Sequence, residues 1–212
     1  MIGSPLVMSA RHGSDMMLHR SIEGSLHRTG IRALSGDESM DEKALRHLLA
    51  RQEITEAIHN YCRAMDRIDD DLGRSVFHAD AVADYGAMFQ GTGHGFIEFV
   101  HGAHSGLLVH THQVSNISIR VDGDRAGSET YVTATLRMKT SDGALAETRS
   151  LGRYIDQWER RDGRWAISHR HYVHEMDDTR LVENARYATD GRRNRSDPSY
   201  GSLGTVERGG SA

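Results

Sequence analysis

Histidine is frequent in this sequence, and two histidines are spaced so that they could act together. The chain has 14 His, four of them in the segment HGAHSGLLVHTH at 101–112. If the end of this segment is a β-strand, His110 and His112 point to the same side, because side chains alternate along a strand. Such an H-x-H pair can bind a metal with a third ligand from a neighbouring strand, for which Glu129, His169 and His171 are candidates. Since a chance pair is not rare among so many histidines, we favour a general base or a hydrogen-bonded pocket histidine and predict no metal.

A second set of chemical groups lies at the end of a predicted helix, in the run YCRAMDRIDDD. Tyr61 and Asp66 are five residues apart, which on a regular helix separates them by roughly 140°. They could share a pocket only if the helix ends or bends between them, which the following Arg-Ile-Asp-Asp-Asp run permits. Taken alone, Asp66 is more typical of a solvated carboxylate at a helix end. Cys62 lies on the apolar stripe and is expected in the core.

The helix that carries these residues is predicted from a capping box and an apolar repeat. Ser39 and Glu42 have the S-x-x-E form of a capping box. Apolar residues then recur at three- and four-residue spacing. This stripe consists of Leu45, Leu48, Leu49, Ile54, Ile58, Tyr61, Cys62 and Met65. We expect the helix to end near Asp66 and two short helices to follow, at about 70–77 and 95–104, with an extended segment and a turn at 85–86 between them.

Three Asp-Gly dipeptides, at 122–123, 142–143 and 162–163, predict tight hairpin turns in the second half of the chain. They separate four stretches of alternating apolar residues, so we expect four long antiparallel strands whose normal twist makes the sheet curl. Helices followed by an antiparallel meander indicate the α+β class. On the last strand Arg170 shares a face with Ala166, Ser168 and Tyr172. In isolation this face predicts solvent exposure, but in a curled sheet it could line a cavity.

Composition and charge exclude several classes of protein. The 212 residues include 26 Lys and Arg against 30 Asp and Glu, a net charge of -4, which does not supply the basic face that nucleic-acid binding needs. No stretch is apolar enough for a membrane span, no secretory signal begins the chain, and one cysteine cannot form an internal disulfide. We therefore expect a cytoplasmic protein that binds neither nucleic acid nor membrane.

The distribution of polar residues predicts one domain with two appendages. Both prolines lie near the ends, and the flanking segments are rich in Gly, Ser, Arg and Asp without periodicity. We expect a mobile N-terminal extension at 1–38, a single domain at 39–185 and a flexible C-terminal tail at 186–212. The tail could instead fold over a neighbour or a pocket.

Five motifs, taken in order, resemble the SnoaL-like branch of the nuclear-transport-factor-2-like superfamily. They are IHNYCRAMD at 58–66, FHADAVADYG at 77–86, THQVSN at 111–116, GRYIDQWERRDGRW at 152–165 and SHR at 168–170. The resemblance implies an α+β fold in which a cone-shaped, strongly curved antiparallel sheet is closed by the N-terminal helices around a deep apolar pocket.

The resemblance also implies an activity and the residues that perform it. Several enzymes of this branch are lyases that need no cofactor: scytalone dehydratase, bile-acid dehydratases, hexachlorocyclohexane dehydrochlorinase and formaldehyde-releasing lyases of lignin-derived diols. Their pattern is a Tyr, an Asp five residues later, a His before a strand Asn and an Arg on the last strand. The catalytic residues that it implies here are Tyr61, Asp66, His112 and Arg170. The expected substrate contacts are His110, Tyr85, His169 and Asn116.

We therefore expect a lyase without a cofactor that acts on a bulky hydrophobic or aromatic small molecule. A neutral His112, whose tautomer Asp66 fixes, would remove a proton. Tyr61 would polarise a departing or carbonyl oxygen, and Arg170 would stabilise developing negative charge. The leaving group would be water, halide or a small carbonyl fragment such as formaldehyde. A homo-oligomer, dimer or trimer, is expected because the branch commonly forms them.

Three other functions stay open at this point. An isomerase or cyclase could use the same Asp and His. The protein could be the non-catalytic β subunit of an aromatic-ring-hydroxylating dioxygenase, which shares this fold. It could also be a module that only binds a small ligand.

Overall fold

The structure is a computed structural model that describes residues 39–204. The helices are α1 (Met40–Arg67), α2 (Asp70–Ser75), α3 (Gly93–Ala103) and α4 (Pro198–Gly204). The strands are β1 (Phe77–Asp84), β2 (Gln90–Thr92), β3 (Val109–Asp122), β4 (Arg125–Lys139), β5 (Leu145–Arg161) and β6 (Arg164–Val182). No helix between residues 39 and 204 is long and apolar enough to cross a membrane. The extension predicted at 1–38 lies outside the described residues.

The six strands form one curved sheet that does not close, in the order β2-β1-β6-β5-β4-β3. Strands β3 to β6 form the expected antiparallel meander. Strand β1 pairs in parallel with β6, and β2 pairs antiparallel with β1 at the edge. The α+β class and the curved sheet with N-terminal helices are thus confirmed. The parallel β1–β6 pair is a feature that the expected antiparallel sheet did not include.

The Asp-Gly dipeptides lie at the three hairpin turns of the meander. In the β5–β6 turn Asp162 has φ 52° and Gly163 has φ 76°. Two consecutive left-handed residues are what a type I′ turn requires, and Asp-Gly is one of the few pairs that adopts it readily. The turns were therefore predictable from local sequence.

Helix α1 starts at the predicted capping box. The Ser39 side chain accepts from the backbone N–H of Glu42, whose carboxylate accepts from the backbone N–H of Ser39. The apolar stripe is buried from Ala50 to Met65. Its first part is not, and three leucines there are at least half exposed: Leu45, Leu48 and Leu49. The periodic pattern predicted them in the core, but no described residue covers this end of the helix.

The core fills the space between α1, α3 and the inner face of the sheet. Ile54 and Ile58 of α1 and Trp158 and Ile167 of the sheet are almost completely buried. Burying a side chain of this size contributes about 1.5–3 kcal/mol. This packing fixes α1 on the sheet, so the position of its C-terminal end is set as well.

A β-bulge in β6 changes which side chains face inward. Ser168 has no partner in β5, because the pairing shifts between Ile167 and His169. An extra residue reverses the alternation beyond it. As a result Ile167 and Arg170, at odd and even positions, are both fully buried.

Residues 183–197 form neither helix nor strand, yet side chains from this segment and α4 bind the rest of the fold. Arg195 donates to one carboxylate oxygen of Asp69 at 3.1 Å, and the Tyr200 hydroxyl donates to the other at 2.6 Å. Asp69 caps the start of α2. The domain boundary at 185 and the flexibility of 186–212 stay predictions.

Candidate active site

A cavity of about 690 Å³ lies between the helices and the inner face of the sheet. Cavities of this size hold small organic ligands. Most of the lining is apolar or aromatic, and its main members are Tyr61, Met65, Tyr85, Phe96, Tyr154 and Tyr172. Histidines supply much of the polar lining. The cavity is therefore suited to a bulky and largely apolar molecule.

Asp66 and His112 are in direct contact at the cavity wall. Nδ1 of His112 is 2.7 Å from one carboxylate oxygen of Asp66, and the backbone N–H of His112 donates to the other at 3.2 Å. The two side chains are only 7% and 15% exposed for His112 and Asp66, respectively. Since Nδ1–H is donated to the carboxylate, Nε2 is the nitrogen that can accept a proton. The arrangement is that of a general base whose tautomer is fixed.

Tyr61 and Asp66 both lie within the last turns of α1. Tyr61 lines the cavity from within the helix, and Asp66 is the second-last helical residue. Ile68 then adopts a left-handed conformation with φ 51° and ends the helix. The sequence condition, a helix that ends or bends between these two residues, is not met; Asp66 reaches the site through His112, which lines the cavity.

Tyr61 and Tyr85 form a pair of buried phenols at the cavity. Their hydroxyl oxygens are 2.7 Å apart. Burial raises the pKa of both, so both are neutral O–H groups. One hydroxyl proton forms the bond between them, which leaves the other available to an oxygen of a ligand. Tyr85 is held in place by Phe96, on which it stacks with ring centroids 3.7 Å apart.

Arg170 lies behind the cavity and not in its lining. Its Nε and Nη2 donate to the carboxylate of Asp156 at 2.7 and 2.8 Å, and both side chains are fully buried. The guanidinium carbon is 4.1 Å from the ring centroids of Tyr61 and Tyr154. Burial opposes its charge, but Asp156 prevails and raises the pKa of Arg170 well above its usual range. Asp156 opposes Arg170 in the β5–β6 register and binds it, so the guanidinium is not among the lining groups, and the role expected of Arg170 stays a prediction.

Two further histidines, His104 and His110, line the cavity. Burial, followed by the nearby His112, lowers the pKa of His110 to about 2. Burial, followed by the charge of Arg193, lowers the pKa of His104 to about 4. Both imidazoles are therefore neutral at neutral pH. The sequence predicted His110 and missed His104, although both belong to the same histidine-rich segment.

A metal could be held by Asp66, His110 and His112. Each offers a donor atom, and these atoms lie within 4.8 Å of one another. An ion there would have to replace the hydrogen bond between Asp66 and Nδ1 of His112. Two of the three further ligands considered from sequence are engaged elsewhere: Glu129 binds Arg153 and His171 binds Asp84.

The structure does not bring His169 and Asn116 to the cavity. The bulge at Ser168 turns His169 away from the face on which strict alternation would place it. Asn116 is exposed, in a left-handed conformation with φ 48°, where the β3–β4 register shifts. The roles expected of these two residues therefore have no support in the geometry.

Sequence reasoning missed Asp156 and the cavity tyrosines of β5 and β6. Tyr154, Asp156 and Trp158 alternate on the inner face of β5 and are all buried. An acidic residue between two aromatic residues of one strand face is a signal for a buried ion pair. Tyr172 had no comparable signal, because its inward direction depends on the bulge.

Comparison with known proteins assigns the chain to a family. The sequence profile of the family described as SnoaL-like domain matches residues 46–171, which is more than half of the chain. A comparison with curated proteins gives no match.

Solved structures resemble the chain at low identity. A candidate scytalone dehydratase from Novosphingobium aromaticivorans DSM 12444 is 22% identical, with a TM-score of 0.58 over 67% of this chain and 95% of that one. A type 2 hexachlorocyclohexane dehydrochlorinase, LinA, is 16% identical, with a TM-score of 0.59 over 70% and 99%. A nuclear transport factor 2-like superfamily protein from Salmonella enterica serovar Typhimurium LT2 is 24% identical, with a TM-score of 0.51 over 61% and 93%.

At these identities the structural likeness establishes the fold and the sequence profile establishes the family. The chain belongs to the SnoaL-like family.

Proposed function

We propose that this protein is a lyase in which His112, held by Asp66, removes a proton from a bulky, neutral and largely apolar substrate. One observation carries the proposal: the carboxylate of Asp66 binds both Nδ1 and the backbone N–H of His112, at 2.7 and 3.2 Å. This double contact orients an imidazole whose other nitrogen is left for the substrate. The neighbouring cavity of about 690 Å³ gives the substrate its place.

The reaction needs a base, a group that assists the departing oxygen, and a dry site. Nε2 of His112 takes the proton, and the electron pair left behind forms a new double bond as the leaving group departs with its own bonding pair. Asp66 stabilises the imidazolium that forms, and this imidazolium can return the proton to a departing hydroxide to give water. The free hydroxyl of the Tyr61–Tyr85 pair can donate a hydrogen bond to that oxygen and keeps its own proton. If formaldehyde is released, His112 takes the proton from the hydroxyl of a hydroxymethyl group, and the O–H electron pair forms the carbonyl bond as the carbon–carbon bond breaks. The carbon that keeps the electron pair of the broken bond then takes the proton back from the imidazolium.

The lining favours a neutral substrate. Among residues 39–204 no lysine or arginine lines the cavity, and Asp177 is its one acidic lining residue. A carboxylate or phosphate would lose its hydration there without a cation to replace it. We therefore expect aromatic or alicyclic alcohols, ethers or halides and not anionic metabolites.

Arg170 takes part by position and not by contact. Packed between Tyr61 and Tyr154, its charge sits beneath the phenol pair that faces the substrate. The positive charge favours negative charge that develops on an oxygen bound to Tyr61 or Tyr85. In this proposal Arg170 is a positioning residue.

The test is a screen of neutral cyclic alcohols, aryl diols and halides, followed by mass spectrometry. Loss of one water, one hydrogen halide or one formaldehyde identifies the leaving group, and His112→Gln should lose the conversion while keeping the wild-type circular dichroism spectrum. Conversion without change of mass would identify an isomerase or cyclase with the same base. A compound that binds but is never converted would contradict the proposal and favour a binding module.

A further inference from the structure

One arginine of the C-terminal segment, Arg193, binds the ends of two different structural elements. Its Nε and Nη2 donate to the backbone carbonyls of Asp66 and Met65, at 3.4 and 3.5 Å, in the last turn of α1. Its Nη1 donates to the backbone carbonyl of His104 and, at 3.2 Å, to that of Leu107. One guanidinium thus serves four carbonyl oxygens.

These four carbonyls lie on the two segments that carry the proposed base. Met65 and Asp66 belong to the end of α1, from which the Asp66 carboxylate projects. His104 and Leu107 belong to the connection from α3 that leads directly into β3, the strand of His112. The contact between Asp66 and His112 is made between these same two segments. Arg193 therefore connects the segment that carries Asp66 to the segment that carries His112.

The chemistry of a guanidinium suits this position. The last carbonyls of a helix have no partner within the helix and carry the negative end of its dipole. A planar group with five N–H donors can serve several such carbonyls at once, which an ammonium group does less well. Burial lowers the pKa of Arg193, which fits a guanidinium enclosed by the fold. The nearby Asp66 carboxylate favours the charged guanidinium and acts in the opposite direction, raising the pKa of Arg193.

We propose that Arg193 is a positioning residue that sets the contact between Asp66 and His112 by joining the end of α1 to the loop before β3. The expected effect on catalysis rests on the proposed function. The effect on the contact between Asp66 and His112 does not. Arg193 lies beyond residues 46–171, the part of the chain that the family profile matches. The C-terminal segment then contributes to the active site although none of its residues between 183 and 204 lines the cavity.

The experiment compares Arg193→Met with Arg193→Lys in the full chain. Arg192→Met is the matched control, because Arg192 neighbours Arg193 and its side chain is exposed and bound to the Gly191 carbonyl. Nitrogen NMR of isotope-labelled histidine reports the ring tautomer of His112 without any substrate, and His112→Gln identifies its signals. The turnover number and KM are then measured with the substrate found in the screen.

The proposal predicts that wild-type His112 is a single tautomer with Nδ1 protonated, and that Arg193→Met mixes the tautomers. Because a misplacement of about 1 Å can cost roughly 100-fold in rate, we expect the turnover number of Arg193→Met to fall about 10- to 100-fold with KM little changed. Arg193→Lys should lie between, and Arg192→Met should match wild type. If Arg193→Met does not fold, the partial effect of Arg193→Lys on the tautomer decides.

Two results would overturn the positioning role: an unchanged His112 tautomer in Arg193→Met, whatever its activity, or an equal effect of Arg192→Met. A changed tautomer with unchanged turnover would confirm that Arg193 positions His112. It would contradict the separate proposal that His112 is the catalytic base. The two proposals can therefore fail separately.

Discussion

Burial sets the protonation state of four side chains that line the cavity. The phenols of Tyr61 and Tyr85 and the imidazoles of His104 and His110 are all shifted toward their neutral forms. Arg170 is buried as well but stays charged, because Asp156 binds it. At these four side chains a substrate would thus meet neutral donors and acceptors, while the positive charge of Arg170 lies behind the lining.

Replacing Arg170 should destabilise the protein strongly. Arg170→Leu leaves the Asp156 carboxylate buried without its partner, and breaking a buried pair in this way costs about 3–5 kcal/mol. Arg153→Leu is the control on a neighbouring strand, because Arg153 binds Glu129 and Glu175 near the surface. Surface pairs are worth less than about 1 kcal/mol. Urea unfolding measures both, and equal losses would show that the Arg170 pair is not buried as described.

The neutral state of His110 predicts a dependence of stability on pH. Its pKa is about 2 in the folded protein against an ordinary 6.5, so between these values the unfolded chain binds more protons. The stability that His110 contributes is therefore present above about pH 6.5 and lost as the pH falls, with a slope of up to about 1.4 kcal/mol per pH unit.

In His110→Asn this loss should be smaller between pH 7 and pH 5. Urea unfolding at a series of pH values checks it, with His59→Asn, a change at an exposed histidine of α1, as the control. Parallel pH profiles for His110→Asn and wild type would contradict the burial of a neutral His110.

Among the helices and strands, the close contact between β5 and β6 constrains the cavity wall. Gly152 of β5 lies against β6 so tightly that a Cβ atom there would be 2.5 Å from the Tyr172 hydroxyl oxygen and from the Val173 carbonyl oxygen. Tyr172 lines the cavity. Glycine at 152 of β5 therefore leaves room for the ring of Tyr172 from β6.

Gly152→Ala should destabilise the protein by about 1–3 kcal/mol, because overpacking forces side chains and backbone to move. Gly127→Ala is the matched control, since Gly127 is also in a strand and a Cβ there meets nothing within 4 Å. Removing a glycine from a strand interior otherwise stabilises slightly. If urea unfolding gave equal midpoints for the two variants, the close approach of β5 and β6 would be refuted.

The elements that the sequence predicted are those with local signals. A capping box and apolar period predicted α1, and Asp-Gly dipeptides predicted the meander. The bulge at Ser168 and the left-handed Asn116 were not predictable, because each depends on a shift of register between two adjacent strands. For the same reason strict alternation misplaced His169.

The candidate site follows the same division. The family resemblance pointed to Asp66 and His112, and the structure brings them into contact. It also pointed to Arg170, but the partner that draws Arg170 away from the cavity, Asp156, is known only once β5 and β6 are paired. The link through Arg193 joins segments far apart in sequence, which no local pattern reveals.

For the described fold as a whole, the reactivity of Cys62 reports whether the protein is folded. Cys62 is the single cysteine of the chain, and it is 7% exposed in the core beside the cavity tyrosines. Burial raises the pKa of its thiol to about 12. Only the thiolate reacts quickly with thiol reagents.

We expect native protein at pH 8 to resist a thiol reagent and to react fully in concentrated urea. Labelling followed by mass spectrometry across a urea series should give the same midpoint as circular dichroism, because the core opens only on global unfolding. Rapid labelling of the native protein would contradict the position of Cys62.

The central claim is that Asp66 acts through His112 without a metal. It is tested most directly by the turnover number of Asp66→Asn relative to wild type, both treated with EDTA, on the substrate found in the screen. We predict that wild type keeps its activity after EDTA and that Asp66→Asn falls about 100- to 10,000-fold, the range of general acid–base catalysis, with an unchanged urea midpoint. Near-wild-type turnover by Asp66→Asn, or loss of wild-type activity on chelation with recovery on adding zinc or iron, would contradict the claim.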